Sequence, residues 1–289
     1  MPWAWSNSSA TPGLEVPPER LEARAELDRL AGRWPDHSVA AAALDRLIDA
    51  MTAVPVHRDL DGDAPDPAVL KAAWAEGRPW FWWSPPRIKD ERDGVVARSH
   101  AVVSVLEQQG EPARTRCSGL RTISPERWLE GARAIVSGRP EDLAVEPKQA
   151  EAVASVLRLA LLPVLAVWSA AAERLVPGLD WSRGTCPHCG SAPLLAELRG
   201  LEQFRFLRCG LCAGSWKVSR LGCAVCGELD PRQVVRISRP DHSSASLQWC
   251  GSCGERLPMV TTLRPLHPFQ LLIQELFANV GVPKPRAVP

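Results

Sequence analysis

Eight of the nine cysteines in this 289-residue chain form four Cys-x-x-Cys pairs between residues 186 and 253. A tight turn between two such cysteines directs both thiolates at one metal ion, which lies about 2.3 Å from each sulfur when the ion is zinc. Four pairs supply enough thiolates for two tetrahedral four-cysteine sites. The sequence therefore predicts that metal ions hold the last third of the chain together. The predicted ligands are Cys186, Cys189, Cys209, Cys212, Cys223, Cys226, Cys250 and Cys253.

The four pairs can combine into two sites in three ways. Sequential pairing joins the first pair with the second and the third with the fourth, which leaves 19 and 23 residues inside the two sites. Each of these stretches is long enough for a small hairpin. A cross-brace and a nested arrangement remain open, although the nested one closes over only ten residues between the second and third pairs. We favour sequential pairing because each site then closes its own ribbon-like module.

The residue after each pair supports the metal interpretation. A residue that follows the second cysteine of such a turn often adopts a left-handed backbone conformation, which glycine reaches without strain. Gly190, Gly227 and Gly254 stand there in three turns, and Ala213 stands there in the remaining one.

Other chemistries of these motifs are disfavoured. Cys186-Pro-His-Cys189 resembles a disulfide oxidoreductase motif, but the residues up to Pro193 cannot begin the helix which that chemistry needs. The sequence contains no His-Glu-x-x-His motif, no glycine-rich phosphate loop and no Ser-His-Asp spacing, so we predict no catalytic residues. We expect His188 to be a surface residue or to surround a metal site without binding the ion. Four thiolates suit iron and zinc equally, so we expect two ions of either metal.

Composition bounds the class of protein. Apolar residues make up 45% and charged residues 23%, as in ordinary globular proteins, and the net charge is +1. Residues 182–289 carry 13 basic and 7 acidic side chains, a surplus that admits nucleic-acid binding. Much of this surplus balances the thiolates. The N-terminus lacks the basic and apolar regions of a secretory signal, so we expect a reducing cytoplasm.

The rest of the pattern predicts a multidomain α+β chain. Helix-start signals recur at Asp66-Pro67, Ser124-Pro125 and Glu146-Pro147, and Pro163 should kink or split the long helix that follows. The apolar run over 159–172 is shorter than the ~20 residues of a membrane span and reads as a core helix. Short strands are predicted near 204–207, 215–218, 234–237 and 246–249. The predicted units are a flexible N-terminus 1–18, an all-helical domain 19–180, two metal modules 181–222 and 223–266, and a C-terminal helix and tail 267–289.

A consecutive aromatic run, Trp80-Phe-Trp-Trp83, stands between prolines. Consecutive aromatics cannot all face solvent, so packing in the core is favoured. A docking surface for a partner remains the alternative.

A longer pattern gives a specific resemblance. Cys186-Pro-x-Cys-Gly-Ser-x-Pro193 precedes Cys209-x2-Cys212-x3-Trp216-x3-Arg220-x2-Cys223-x2-Cys226, and Cys250-x2-Cys253 follows. This pattern resembles the formate dehydrogenase accessory protein family, FdhE. The helical half and the approach to Cys186 are similar to that family in texture.

The resemblance implies a helical domain followed by two rubredoxin-like or zinc-ribbon modules with iron or zinc. It implies a cytoplasmic, non-enzymatic maturation factor, chaperone-like, that binds the catalytic subunit of a molybdenum or tungsten formate dehydrogenase and supports its active form. The cysteines would be the ligands. Trp216 and Arg220 match the motif between the second and third turns, where they would either contact the partner or serve packing and ion pairing.

The chain departs from the family after Cys253, where Arg256 and Pro258 replace a usual Tyr and Lys, and in its apolar C-terminal helix. These departures leave the client open, and another redox enzyme such as a hydrogenase is an alternative. A zinc-ribbon nucleic-acid binder and a rubredoxin-like electron carrier are the other hypotheses. Neither membrane insertion nor a nucleic-acid partner is expected.

Overall fold

A computed structural model describes residues 18–56, 66–86, 91–143, 145–178, 180–239 and 242–278. The predicted flexible segment before residue 18 and the predicted tail from residue 279 lie outside these ranges.

The described part of the chain contains nine α-helices, eight of them before residue 178. They are α1 (Pro18–Arg33), α2 (Ser38–Thr52), α3 (Pro67–Ala75), α4 (Trp80–Trp83), α5 (Arg92–Glu107), α6 (Glu111–Arg116), α7 (Pro125–Val136), α8 (Pro147–Leu175) and α9 (Pro268–Ala278).

Helix starts follow the predicted capping signals. The Asp66 carboxylate accepts a hydrogen bond from Ala68 N at 2.7 Å, with proline in the first turn of α3. The Ser124 hydroxyl accepts from Arg127 N at the start of α7. Each cap satisfies a backbone donor that the first helical turn leaves free.

Helix α8 is the centre of the helical half. It packs against α5 and α7, and every side chain from Ala160 to Val167 is buried. By length and composition it is the one helix in the described ranges that could cross a membrane, and 61% of its most apolar stretch is buried inside the protein. The helix runs on through Pro163, so the expected split is wrong, and the alternative of a kink stays a prediction. Packing on both sides of the proline holds the two halves in one helix.

Six strands form one sheet in the order β3-β2-β1-β6-β5-β4. The strands are β1 (Pro193–Arg199), β2 (Phe204–Cys209), β3 (Ser215–Lys217), β4 (Val234–Arg239), β5 (His242–Cys250) and β6 (Arg256–Thr262). Strands β1 to β3 form an antiparallel ribbon, and β4 to β6 form a second one. Strands β1 and β6 join the ribbons as a parallel pair, with Ala196 opposite Met259 and Arg199 opposite Thr262.

Sequence patterns missed the two strands at this junction. The β1 sequence PLLAELR has the leucine, alanine and glutamate content of a helix, and β6 contains Pro258. Both strands lie in the middle of the sheet, where Leu195, Ala196 and Val260 are buried. Tertiary packing therefore overrides local preference at the join between the two ribbons.

The fold class is as predicted: a helical N-terminal region, then a sheet region with two four-cysteine clusters, then a C-terminal helix. Helix α9 returns to the helical half and packs on α1, where the Gln274 amide donates to Glu26 at 2.9 Å. The boundaries at residues 180, 222 and 266 stay predictions.

The buried guanidinium of Arg98 gives a test of the helical core. It donates to Ala160 O at 3.0 Å, in the turn of α8 before Pro163, to Val54 O at 3.3 Å and to the Glu91 carboxylate at 3.2 Å. Replacing one partner of a buried ion pair leaves an uncompensated charge, so Arg98→Met should lower the free energy of unfolding by about 3 kcal/mol. Urea denaturation followed by circular dichroism measures this loss.

Arg92→Met on the same helix is the matched control. The Arg92 ion pair with Glu126 is exposed on both sides, so the denaturation midpoint should not change measurably. Equal losses in the two variants would contradict the role of Arg98 in the core.

Candidate metal centres

Each four-cysteine cluster is built by the same succession of elements: a cysteine turn, two antiparallel strands, a second cysteine turn and a third strand. The turn at 186–189 precedes β1, and the turn at 209–212 follows β2. The turn at 223–226 precedes β4, and the turn at 250–253 follows β5. The hairpins fold the chain back on itself, so the structure groups the sulfurs sequentially, as we favoured.

All four cysteine turns have one backbone geometry. The residue after the second cysteine donates its N–H to the carbonyl of the first, at 2.8 to 3.1 Å. That residue has a positive φ in every turn, so the expected left-handed conformation is found at the alanine as well as at the three glycines. The angles are 77° at Gly190, 55° at Ala213, 80° at Gly227 and 74° at Gly254.

The sulfur separations fit tetrahedral coordination. The four Sγ atoms of each cluster lie within 4.8 Å of one another. Cys223 and Cys253 are 3.8 Å apart, and Cys226 and Cys250 are 3.7 Å apart. Sulfurs at about 2.3 Å from a tetrahedral ion lie about 3.8 Å from each other. The first cluster is somewhat tighter, with separations of 3.5 and 3.4 Å.

These distances also exclude disulfides, whose sulfurs would lie at about 2.0 Å. All nine cysteines are unbridged. Backbone donors point at one sulfur of three turns: His188 N lies 3.4 Å from Cys186 Sγ, Leu211 N 3.3 Å from Cys209 Sγ and Val225 N 3.4 Å from Cys223 Sγ. Such donors stabilise thiolate charge.

Burial makes a cation necessary if the first cluster is to ionise. The four sulfurs belong to residues that are at most 1% exposed, and this burial raises the pKa of the Cys186 and Cys212 thiols well above the ordinary value. Burial also opposes ionisation of Cys189, but hydrogen bonds from the neighbouring thiols outweigh it and lower the pKa of Cys189. Four thiolates at such distances repel one another in a medium that solvates them poorly. A bound cation supplies the missing opposite charge. Each cluster could therefore hold one metal ion.

The two clusters differ in their access to solvent. In the first, every cysteine is buried, whereas Cys226 and Cys253 of the second are exposed. The second cluster is nevertheless anchored to the first ribbon by Arg205 of β2, which donates to Gly222 O and to Gln248 Oε1. Burial lowers the pKa of Arg205, and the nearby Cys223 sulfur opposes that shift.

Tryptophans of the helical half close over the first cysteine turn. The Trp74 indole donates to Pro187 O at 2.8 Å, and the Trp82 indole donates to Cys189 O at 3.0 Å. The backbone N–H groups of Trp80 and Phe81 donate to the turn as well. The helical half thus supplies the hydrogen bonds that this turn cannot make within its own ribbon.

The aromatic run divides between the two interpretations. Trp80 and Phe81 are fully buried against the first turn, as core packing requires. Trp82 and Trp83 are 49% and 53% exposed, and Arg78 lies over the Trp83 ring at 4.1 Å.

His188 lies inside the first cysteine turn, and neither of its ring nitrogens is directed at the four sulfurs. It is fully buried, and its Nδ1 accepts a hydrogen bond from the Trp80 indole at 2.8 Å. Because Nδ1 accepts, the ring proton lies on Nε2, which is 3.4 Å from Glu173 Oε1 on α8. The same carboxylate oxygen accepts from Ser215 N at 2.7 Å. His188 therefore links the first cluster to α4 by a hydrogen bond and lies beside Glu173 of α8 without a hydrogen bond from Nε2.

The two residues expected to contact a partner occupy different environments. Trp216 is buried and its indole donates to Arg183 O at 3.0 Å, which is the packing arrangement. Arg220 is exposed. Partner contact stays a prediction for both. Sequence reasoning singled out the aromatic run that contains Trp82 but did not place it at a metal site, and it missed Trp74 and Arg205, because none of the three lies next to a cysteine in sequence.

The difference in burial predicts two rates of metal loss. With both sites loaded, a chelator such as EDTA should remove one equivalent quickly and the second much more slowly, because only the second cluster exposes sulfurs to an attacking ligand. Native mass spectrometry after timed quenching measures the steps. Cys253→Ser should abolish the fast step and Cys212→Ser the slow one. Simultaneous loss of both ions from the unsubstituted chain would contradict the assignment.

The Trp80 indole gives a second prediction. Trp80→Phe keeps the aromatic ring but leaves buried His188 Nδ1 without its donor, which should cost about 1–3 kcal/mol of unfolding free energy. Trp83→Phe is the matched control, since the exposed Trp83 indole makes no hydrogen bond in the described part of the chain. Urea denaturation of the metal-loaded chain compares the two. Equal stability of both variants would show that the indole bond contributes nothing.

Comparison with known proteins gives one concordant result. The family model described as "FdhE, central domain" matches residues 185–220. The chain is 28% identical over 141 residues to a protein FdhE homolog of Edwardsiella ictaluri, a stretch that covers 46% of each chain. It is 32% identical over 89 residues to one from Pectobacterium carotovorum, which covers 30% of this chain and 28% of that relative. The chain thus spans less than half the length of the curated relatives it matches.

A solved structure extends the likeness beyond these segments. The crystal structure of the FdhE protein from Pseudomonas aeruginosa superposes with a TM-score of 0.54 at 23% identity, over 94% of this chain and 95% of that one. The resemblance to the FdhE family is therefore confirmed: residues 185–220 match the model of the FdhE central domain, and the chain shares the fold of the FdhE crystal structure.

Proposed function

We propose that this protein is a non-enzymatic accessory factor that binds the catalytic subunit of a formate dehydrogenase and supports its active form. The observation that carries the proposal is the match of residues 185–220 to the model of the FdhE central domain, together with the likeness to the FdhE crystal structure over 94% of the chain. Relatives that match part of this chain are named as FdhE homologs.

In this proposal the eight paired cysteines hold two ions, iron or zinc. Sulfur separations of 3.4 to 3.8 Å and the absence of disulfides support this role. A bound ion supplies positive charge and a cross-link between two turns. Four protein ligands leave no open coordination position for a substrate, which favours a structural role over turnover. Free thiols at metal spacing favour the cytoplasm as the site of action.

The partner surface is proposed to include Arg220. It lies in the exposed segment between the second and third cysteine turns, next to exposed Leu221. Trp216 would act indirectly, since its buried ring holds this segment against Arg183 O. An exposed arginine beside an exposed apolar side chain suits a protein interface.

The nucleic-acid alternative is weakened by where the basic residues lie. Arg205 and Arg208 of the C-terminal half are buried, and Arg199 is mostly buried. Arg199 and Arg208 both pair with the buried Glu197 carboxylate. Some of the surplus basic side chains are therefore buried inside the protein, where they cannot contact the phosphates of a nucleic acid.

One observation favours electron transfer as a second candidate function. The second cluster exposes Cys226 and Cys253, and an exposed thiolate-bound iron can exchange electrons with a docked partner. In that case the chain would carry iron at this cluster and its visible thiolate-to-iron absorption would bleach reversibly on reduction. Zinc at both sites would eliminate this candidate.

Co-purification tests the proposal. The tagged full-length chain, isolated without oxygen from cells that make formate dehydrogenase, should enrich that enzyme's catalytic subunit. Arg220→Glu should reduce the enrichment at least about tenfold while leaving both ions bound, because charge reversal in a small interface commonly costs more than 1.4 kcal/mol. Mass spectrometry of the eluate gives both quantities.

Arg158→Gln on the exposed face of α8 is the control and should leave the enrichment unchanged. Recovery of a hydrogenase subunit in place of formate dehydrogenase would show that the partner enzyme is a hydrogenase. No enrichment of either enzyme, with or without oxygen, would overturn the proposal.

A further inference from the structure

A cavity of about 330 Å³ lies between the helical half and the first ribbon of the sheet. Its helical wall is one face of α8, with Ala166, Ala170 and Arg174 at helical spacing. Its other wall is formed by Arg199 of β1, Arg208 of β2 and the chain from Ala213 to Ser215. The cavity thus stands directly behind the second cysteine turn but contains none of the metal-site sulfurs among its lining residues.

Three guanidinium groups from three separate elements line this space. Arg199 and Arg208 share a single carboxylate, that of fully buried Glu197. Two guanidiniums therefore share one buried carboxylate, and the carboxylate of Glu173 on the helical wall also attracts Arg199. Burial lowers the pKa of Arg199, which reflects the cost of holding this charge.

The hydrogen bonds of these arginines leave donors free. Arg208 uses Nε and one terminal nitrogen on Ala213 O, and the other terminal nitrogen on Glu197. Arg199 uses Nε on Glu197 and one terminal nitrogen on the Ser215 hydroxyl at 2.8 Å. The second terminal nitrogen of Arg199 makes no hydrogen bond with the described residues. Arg174 is exposed and makes none within the same ranges.

Both carboxylates beside the cavity already accept hydrogen bonds from protein groups. Glu173 lines the wall, but its Oε1 accepts from Ser215 N and faces His188 Nε2. Glu197 is held by the two arginines and by Leu266 N at 3.1 Å. Three guanidiniums against two carboxylates leave a positive cavity, with alanines and prolines as its apolar walls. Apolar walls with a few convergent polar groups are typical of small-ligand sites.

We propose that this cavity binds a small phosphate-bearing anion between Arg174, Arg199 and Arg208. A phosphate group carries about −1.5 to −2 charges at pH 7 and offers three oxygens, which suits donors that converge from three elements better than a planar carboxylate does. The site is separate from the cysteine clusters and goes beyond the proposed accessory function. An anion held there would join α8 to β1 and β2, and so fix the helical half against the first ribbon.

Isothermal titration of the full-length, metal-loaded chain with inorganic phosphate tests the site. We expect saturable binding of one equivalent. Arg174→Gln should weaken it about tenfold or more, since a hydrogen bond to a charged group is lost. Ala170→Leu should weaken it similarly by filling the cavity without changing its charge. Arg158→Gln, about 24 Å away along the same helix, should leave the affinity unchanged.

Arg174 is exposed, so its variant reports on the site even if Ala170→Leu disturbs the fold. Glycerol phosphate and citrate, titrated in parallel, separate phosphate chemistry from carboxylate chemistry. The proposal is overturned by the absence of saturable phosphate binding, by equal effects of Arg174→Gln and Arg158→Gln, or by citrate binding more tightly than both phosphates. Formate dehydrogenase enrichment plays no part in this readout, so each proposal can fail alone.

Discussion

Four cysteine sulfurs confined within 4.8 Å of one another set the conditions for the C-terminal half of this protein. Thiolates at such distances repel each other, and burial of the first cluster deprives them of water. A cation bound at the centre of a cluster would offset this repulsion and would cross-link its two turns. Ribbons of this size bury too little apolar surface to fold on that basis alone, so such a cross-link would stabilise their shape.

The first cluster connects the two halves of the molecule. Its leading turn receives indole hydrogen bonds from Trp74 and Trp82, and its His188 ring lies between Trp80 and Glu173. A substitution at this cluster therefore alters residues that directly contact α4 and α8. The ribbon that carries the second cluster, by contrast, joins the first ribbon through the parallel pair of β1 and β6 and through the hydrogen bonds of Arg205. One cluster is thus part of the core and the other is part of the surface.

The parallel pair of β1 and β6 joins the ribbons that carry the two clusters. It converts two separate ribbons into one six-stranded sheet, with the two ribbons in a head-to-tail order. Helix α9 then contacts the sheet and packs on α1 of the helical half. The two ribbons with their cysteine clusters therefore form one continuous sheet and not two separate modules. The cavity with three arginines lies between this sheet and α8.

Much of this could be read from the chain before folding is considered. Capping residues such as Asp66 and Ser124 define helix starts through local hydrogen bonds, and the left-handed residue after each Cys-x-x-Cys pair follows from turn geometry alone. The caps and the turns depend on neighbours within a few residues, so the sequence by itself determined them. The length of the intervening hairpins favoured sequential pairing of the cysteines, and the structure decided it against the cross-brace and the nested arrangement. Tertiary structure decided what depends on distant partners: β1 and β6 as strands, Pro163 inside an unbroken helix, and the indoles that close over the first cluster. It alone made one cluster buried and the other exposed, because burial depends on which surfaces meet, and no local pattern records that.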